Sequence, residues 1–280
     1  MKAINVLDSL KMLVLCTALC LVQACDDEKE TPMTEEEEVE IAQESNDAEN
    51  TMDEDVQDFE GMVAESESGG GRVAETCVVV TRDSEAKTIT LDFGDGCVGP
   101  HGRERSGKVI ITYGGEFGDN LANRVITFED YFVNDKQITG RIELRDFNLN
   151  AEGHLTLTRK LVDYTVHFPD GHEFKLNGSR TVEWIDGQGD EDRYNDVLSI
   201  TGSYTGESTR GRKVEFTIIQ PVIASFPCRA EGKFLRVDGK TELKISSASR
   251  LRVRTVDYGD GDCDGTIVIT INNKILTITL

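Results

Sequence analysis

The sequence lacks an apolar run of membrane length. Its most apolar segment, Met12 to Val22, holds 11 residues, about half of the roughly 20 that a spanning helix needs. That length fits the core of a secretory signal instead. Reactive signatures are missing too. No GxSxG, no HExxH and no Ser/His/Asp arrangement is recognisable by spacing. No CxxC pair exists, which removes the commonest zinc and redox arrangements. Basic charge is scarce, with 30 Lys and Arg against 52 Asp and Glu. Nucleic acid, which wants a basic stripe, is excluded as a partner.

The acids are unevenly spread. Residues 26–70 hold 19 Asp or Glu and one Lys, a net of −18 out of −22, whereas residues 71–280 carry only −5. The low pI therefore belongs to one segment and not to the bulk of the chain.

Residues 1–24 have a three-part plan. Lys2 and Lys11 give a positive start, the apolar run follows, and Gln23-Ala24 brings a small residue up to Cys25. Val22-Gln23-Ala24-Cys25 resembles the lipobox of bacterial lipoproteins. The resemblance implies a thiol that receives a diacylglycerol, cleavage before Cys25 and acylation of the new amino terminus. Gln23 departs from the commonest lipobox residues. Two or more acyl chains make a durable anchor, because each buried methylene adds about 0.8 kcal/mol. The acids that follow, Asp26-Asp27-Glu28-Lys29-Glu30, resemble the tag after the lipidated cysteine in surface-exposed lipoproteins of the Bacteroidota. The competing readings are an ordinary signal with a coincidental cysteine, and an anchor on the periplasmic face of the outer membrane.

Residues 25–71 form the expected tether. Charge alone makes it an extended, mostly disordered spacer. Met52, Val56, Phe59 and Val63 nevertheless recur at helical spacing, so a short amphipathic helix is the alternative. Ser66 to Gly71 breaks any helix and marks a boundary. From residue 72 to 280 the texture changes to period-two alternation, as in "KTITLDF" (87–93), "GKVIITY" (107–113) and "HLTLTRKLVDYTVHF" (154–168). Tight turns are expected at 133–136, 168–171, 237–240 and 271–274. The expected fold is all-β: one antiparallel meander of about a dozen strands forming a barrel-like or sandwich domain.

A partial internal duplication supports that reading. "TLDFGDGC" (90–97) matches "TVDYGDGDC" (255–263) with one inserted Asp, and a similar strand follows each. Cys16 and Cys20 fall in the signal and Cys25 in the lipobox, which leaves four of the seven cysteines. An even number in an exported chain reads as disulfides, and the repeat favours Cys77–Cys97 and Cys228–Cys263. These features, with "GRERSGK", "ITFEDYFVND", "ITGSYTG" and the terminal "DYGDGDCDGTIVITINNKILTITL", together resemble a family of uncharacterised Bacteroidota lipoproteins. The resemblance implies an extracytoplasmic β-domain and supplies no activity or site.

The strongest ligand motif is Asp260-Gly261-Asp262-Cys263-Asp264-Gly265. Asp260, Asp262 and Asp264 have the spacing that opens a calcium loop. Ile271 stands where the bidentate Glu belongs, and the flanks read as strands. The alternative is a turn whose Asp side chains cap backbone amides. "GRERSGKV" (102–109) falls one residue short of a phosphate loop and reads as a polar loop entering a strand. His167 and His172 flank a turn and with Asp170 or Glu173 form a candidate transition-metal set, against a plain polar hairpin. The acidic loop 186–196 reads as solvated. Trp184 reads as core, with a sugar-stacking platform as its alternative.

The function class expected is a binding or structural surface module, held at the outer membrane by its lipid and without enzymatic activity. Extracellular glycan or protein would be its partner, and no cofactor is required beyond the calcium motif. The alternative is an extracellular hydrolase acting on glycan or protein through carboxylates that spacing does not single out. A pocket with raised-pKa carboxylates would favour the hydrolase. A sealed interior would favour a structural role or a lipid-like ligand.

Overall fold

The computed structural model describes residues 34–67, 77–99, 102–115, 122–189, 193–232, 235–247, 250–271 and 274–279. The segment expected to be a signal and lipobox, with Cys25, lies outside them. The expected antiparallel meander is the observed fold. Its strands are β1 (Val79–Asp83), β2 (Thr88–Asp92), β3 (Cys97–Val98), β4 (Glu104–Tyr113), β5 (Arg124–Val133), β6 (Lys136–Leu149) and β7 (Leu155–His167). The sheet continues through β8 (Glu173–Asp186), β9 (Val197–Ser208), β10 (Arg212–Ser225), β11 (Arg236–Ser247), β12 (Arg250–Asp260), β13 (Thr266–Ile271) and β14 (Lys274–Thr279). Each strand pairs with its sequence neighbours, except that β2 pairs with β4 and short β3 sits beside β4 alone. β1 and β14 do not pair with each other, so the sheet curls without closing.

Alternation decides the two faces. Along β8, Phe174, Leu176, Arg180, Val182 and Trp184 are buried, while Lys175, Ser179 and Thr181 face solvent.

The sheet curls around a helix, and here the structure corrects the tether expectation. Helix α1 (Glu35–Glu67) is 33 residues long, about 50 Å at 1.5 Å per residue. That matches the height of the 14-residue strands β6, β8 and β10, about 46 Å at 3.3 Å per residue. Met52, Val56, Phe59 and Val63 are all buried, but so are Asp53, Asp55 and Gln57 between them and Glu49 and Thr51 just before. Consecutive buried positions cover every side of the helix. Self-repulsion argues for an extended spacer only while the acids lack counter-ions, and the strands supply those. Residues 36–280 accordingly form one compact unit, with no boundary at 71.

Glycine and aspartate bend the sheet. Gly107 on β4 (φ +78°) lies against Asp130 on β5 (φ +45°), and Gly140 on β6 (φ +88°) against Asp163 on β7 (φ +49°). The ladder shifts register beside both glycines, the signature of bulges that increase twist and curl. A third such site corrects one turn. Asp238-Gly239 lies inside β11, where Gly239 (φ +98°) approaches Pro221 and the register to β12 slips. The turns at 134–135 and 169–171 fall where the sequence places them, and residues 272–273 of the last one are outside the described set.

Both expected disulfides are present. Cys77–Cys97 has Cα atoms 5.5 Å apart and ties the entry of β1 to β3. Cys228–Cys263 has them 5.4 Å apart and ties the short helix α2 (Phe226–Ala230) to the β12–β13 turn. Closing loops of 20 and 35 residues contributes about 3–4 kcal/mol each through lost unfolded-state entropy. The duplicated turns also share detail. Asp92 accepts the Gly94 amide at 2.9 Å, and Asp257 accepts the Gly259 amide at 3.2 Å. Phe93 and Tyr258, one residue later in each copy, are buried with an arginine over the ring.

The Gly140 kink yields a direct test. A Cβ at Gly140 would collide with the Asp163 carbonyl, so Gly140→Ala should cost at least about 1–3 kcal/mol, as overpacking does. At Gly153 (φ +86°) nothing stands nearby, and Gly153→Ala should cost only the left-handed backbone penalty of about 1–2 kcal/mol. Urea denaturation of both variants checks the difference.

Candidate binding site

The interior is organised by ion pairs between α1 and the strands. Glu49 receives Arg180 of β8 and Arg236 of β11, and Asp53 receives Arg159 of β7 and Arg236, the latter at 2.8 Å. Toward the helix C-terminus, Arg103 reaches Asp55 at 2.8 Å and Glu54 at 3.3 Å, and Arg105 bonds Asp55 and Asp58. Arg229 of α2 closes on Glu54 at 2.7 Å. Arg159 and Arg180 occupy inward phases of strands whose other inward residues include Leu157, Leu161, Leu176 and Val182, so these guanidinium groups reach the axis from a hydrophobic wall. Alternation contained this signal: in "LTLTRKL", Arg159 shares its phase with Leu155, Leu157 and Leu161. Arg103 and Arg105 likewise belong to "GRERSGK", which reads as a polar loop by sequence and is here a buried cationic element.

Electrostatics follow from burial and pairing together. Burial pushes the Glu49 and Asp53 carboxyls up, but the guanidinium groups around them more than offset this and hold both below the usual range. Burial lowers Arg236, yet Glu49 and Asp53 raise it well above its ordinary value. Tyr131 and Tyr164 are driven well above the usual phenol range by desolvation, and Tyr204 is pushed up to about 12.

Beside the axis lies a cavity of about 310 Å³ between the C-terminal half of α1 and the inner faces of β5–β8. Leu144, Phe147, Leu157 and Trp184 form its apolar wall, and Gln57, Glu60, Arg124 and Arg159 bring polar groups to it. The Arg124 guanidinium sits 5.3 Å from the Tyr113 ring centre and 4.9 Å from that of Phe147, and 3.5 Å from Glu60. The Trp184 indole donates to Asp196 at 3.1 Å, and Gln57 of α1 donates to the same oxygen. Trp184 is thus both core and cavity wall. A cavity of this size and mixed lining is of the kind that takes a small molecule.

A second hollow, wider and about 560 Å³, opens beside the N-terminal half of α1. There the His172 Nε2 lies 3.0 Å from Glu44, its Nδ1 meets Asp170, and its ring stacks on Phe168 at 4.4 Å. Arg210 also reaches Glu44, at 3.1 Å. Burial raises the Glu44 carboxyl above its ordinary value, and His172 and Arg210 offset only part of the rise.

The sequence candidates are not assembled into a metal site. Among the described residues, no group of three His, Cys, Asp or Glu could hold an ion. Asp260, Asp262 and Asp264 stand exposed at the β12–β13 turn, where Asp264 accepts the Thr266 amide at 2.8 Å. Asp264 thus caps a backbone amide, as the alternative reading of this turn expects. His167 bonds Glu173 and Thr139, both at 3.0 Å, so the two histidines serve different partners. Of the loop read as solvated, Asp196 is buried. No protein family matches this chain, and no curated protein or solved structure does so either.

Two tests follow from these charges. Arg236→Met strips a counter-ion from two buried carboxylates at once and should cost about 3–5 kcal/mol. Removing Glu49 and Arg180 together, each as Leu, should cost less than the sum of the two single changes, because their coupling is counted in both. Urea midpoints of the double-mutant cycle decide this.

The pH response has two signs. The depressed carboxyls Glu49 and Asp53 contribute stability that is full above their ordinary values of 4.5 and 3.8 and is lost as acid approaches their folded values. Glu44 is raised, so the folded state binds its proton more tightly. Its contribution therefore grows as pH falls from neutral toward 4.5. Glu44→Gln should remove that gain and leave the loss below about pH 4 unchanged, as read from urea midpoints across pH 3–7.

Proposed function

We propose that the protein is a lipid-anchored extracytoplasmic module that binds a small molecule in the cavity between α1 and β5–β8. The observation that carries this reading is the cavity itself, an apolar wall with convergent polar groups beside α1. The address is supported by the lipobox at Val22 to Cys25 and by two disulfides, which persist in oxidising compartments. Among the described residues, no helix is long and apolar enough to cross a membrane, so attachment would fall to the lipid on Cys25.

The hydrolase alternative has less behind it. Acid–base catalysis wants carboxyls tuned toward neutral pH, and Glu49 and Asp53 are driven the other way. The raised carboxyl, Glu44, borders the second hollow beside His172 and Arg210, and it is the feature that speaks for the hydrolase.

Two measurements test the proposal. Intact-mass analysis of the membrane-purified protein should find an acylated Cys25, and Cys25→Ser should move the protein to the soluble fraction. The neutral fluorophore N-phenyl-1-naphthylamine should brighten on the folded protein and quench Trp184, the single tryptophan. Leu157→Trp, which fills the cavity, should abolish the brightening. No response in the wild-type protein would refute binding there, and an unmodified Cys25 would refute the anchor.

A further inference from the structure

The contacts of α1 fix the end of the sheet at which the helix begins. Glu37 meets Arg212 at 3.3 Å, Glu44 meets Arg210 at 3.1 Å and His172 at 3.0 Å, and Asp47 meets Lys136 at 2.5 Å. These partners flank the turns after β5, β7 and β9. In an antiparallel meander every second connection returns to the same end. The last residues of β11 and β13 and the first of β12 and β14 therefore stand at this end too. Leu149, Leu155 and Gln188 of the cavity wall stand at the other. Cys25 precedes Glu35, where α1 starts, by ten positions, which reach at most about 35 Å. A lipid on Cys25 thus holds the starting end of α1 beside the membrane surface, while its far end lies about 50 Å along the helix axis.

The tethered end carries an apolar outer face. Ile275 on β14 is 70% exposed and Leu251 on β12 is 65% exposed, the two most exposed large apolar side chains among the described residues. Val253 shares the outward phase of β12 with Leu251, whereas Arg254 and Val256 turn inward. Thr255 of β12 faces Thr270 of β13, which in turn faces Ile275, so all three apolar residues belong to one face. β14 is an edge strand without a single acid. Next to Leu251 the same face dips into a hollow of about 290 Å³, where Lys175, Lys213 and Lys244 stand around Glu207 and Glu215. Lys213 contacts Glu207 at 3.7 Å, and Lys244 contacts Glu242 at 3.4 Å. Exposed pairs of this kind are worth little, so both ammonium groups are free to turn to phosphate oxygens.

Resting on the anchor reading above, we propose that the outer face of β12 and β14 docks on the phospholipid surface that holds the acyl chains of Cys25. Leu251, Val253 and Ile275 enter the boundary between headgroups and acyl chains, and Lys213 and Lys244 meet lipid phosphates. The short tether makes the lipid surface a permanent neighbour at high effective concentration, an advantage that no freely diffusing partner has. Docking gives the domain one orientation, with Leu149 and the cavity wall around it on the side away from the membrane.

The experiment reconstitutes the full lipidated chain in phosphatidylethanolamine–phosphatidylglycerol vesicles that carry lipids brominated on their acyl chains. Leu251→Trp and Ile275→Trp place reporters on the proposed face, and Leu149→Trp places one at the opposite end. All three sites are exposed, and Trp184 supplies the background in every sample. The brominated lipids should remove at least about half of the emission added at 251 and at 275, as insertion at the headgroup boundary requires, and none of that added at 149. Adding Leu251→Asp to the Ile275→Trp variant should restore most of the lost emission. Equal quenching at all three sites, or none at 251 and 275 while intact mass shows an acylated Cys25, would overturn the docking and leave the anchor standing. An unmodified Cys25 would overturn both. Sedimentation of the Cys25→Ser chain covers the remaining occupant: a dimer that Leu251→Asp dissolves would assign this face to a second copy and overturn the lipid contact.

Discussion

Charge neutralisation of one helix is the constraint on which the rest of this structure depends. A segment as acidic as α1 has no reason to be compact in water, and its helical propensity alone would not hold it. It becomes a core element because arginines on strands far apart in the sequence meet its carboxylates from several sides. Desolvating so many charges costs several kcal/mol per ion, and the pairs recover this only where the geometry is satisfied on both partners. The ion pairs therefore specify the arrangement more than they stabilise it. The stabilisation comes from the leucine, isoleucine, valine and aromatic wall in which the arginines are set.

That division of labour explains the shape of the sheet. A flat meander would leave the arginines pointing into solvent, so the strands must curl through a large angle. They do so where Gly107, Gly140 and Gly239 let adjacent backbones approach. The cavity beside α1 is a by-product of the same geometry. A helix is a narrow cylinder inside a wide sheet, and the strands around its C-terminal half carry leucines that do not reach it. The polar groups that frame the cavity, Gln57, Glu60, Arg124 and Arg159, belong to the ion and hydrogen-bond system and are stiffened by it.

Sequence reading recovers the parts of this fold that are local. Strand phases follow from alternation, two disulfides follow from the repeated "GDGC" and "GDGDC" turns, and two of the hairpin turns follow from Asn, Asp and Gly placement. The helix was half legible: Met52, Val56, Phe59 and Val63 announced an apolar face, but the acids beside them argue for solvent until their partners are known. Those partners are long-range. Arg236 lies 187 residues from Glu49 and 183 from Asp53, and no local pattern links them. Trp184 was legible as core, whereas its role as a cavity wall depends on where Phe147 and Leu157 stand. The Asp260–Asp264 motif has the spacing of a cation loop, and its exposure at the β12–β13 turn depends on the surrounding strands.

The placement of α1 ahead of every strand sets an order of assembly. The helix precedes every strand, yet the arginine that joins Glu49 to Asp53 sits on β11, after most of the chain. Until that strand arrives, the acidic segment has only part of its counter-charge and the sheet has only part of its axis. Contacts at such separation are slow to close, because chain entropy is lost before they form. Closure of the axis is thus postponed until most of the chain is in place, and until then α1 behaves as a polyelectrolyte that has not yet acquired its core.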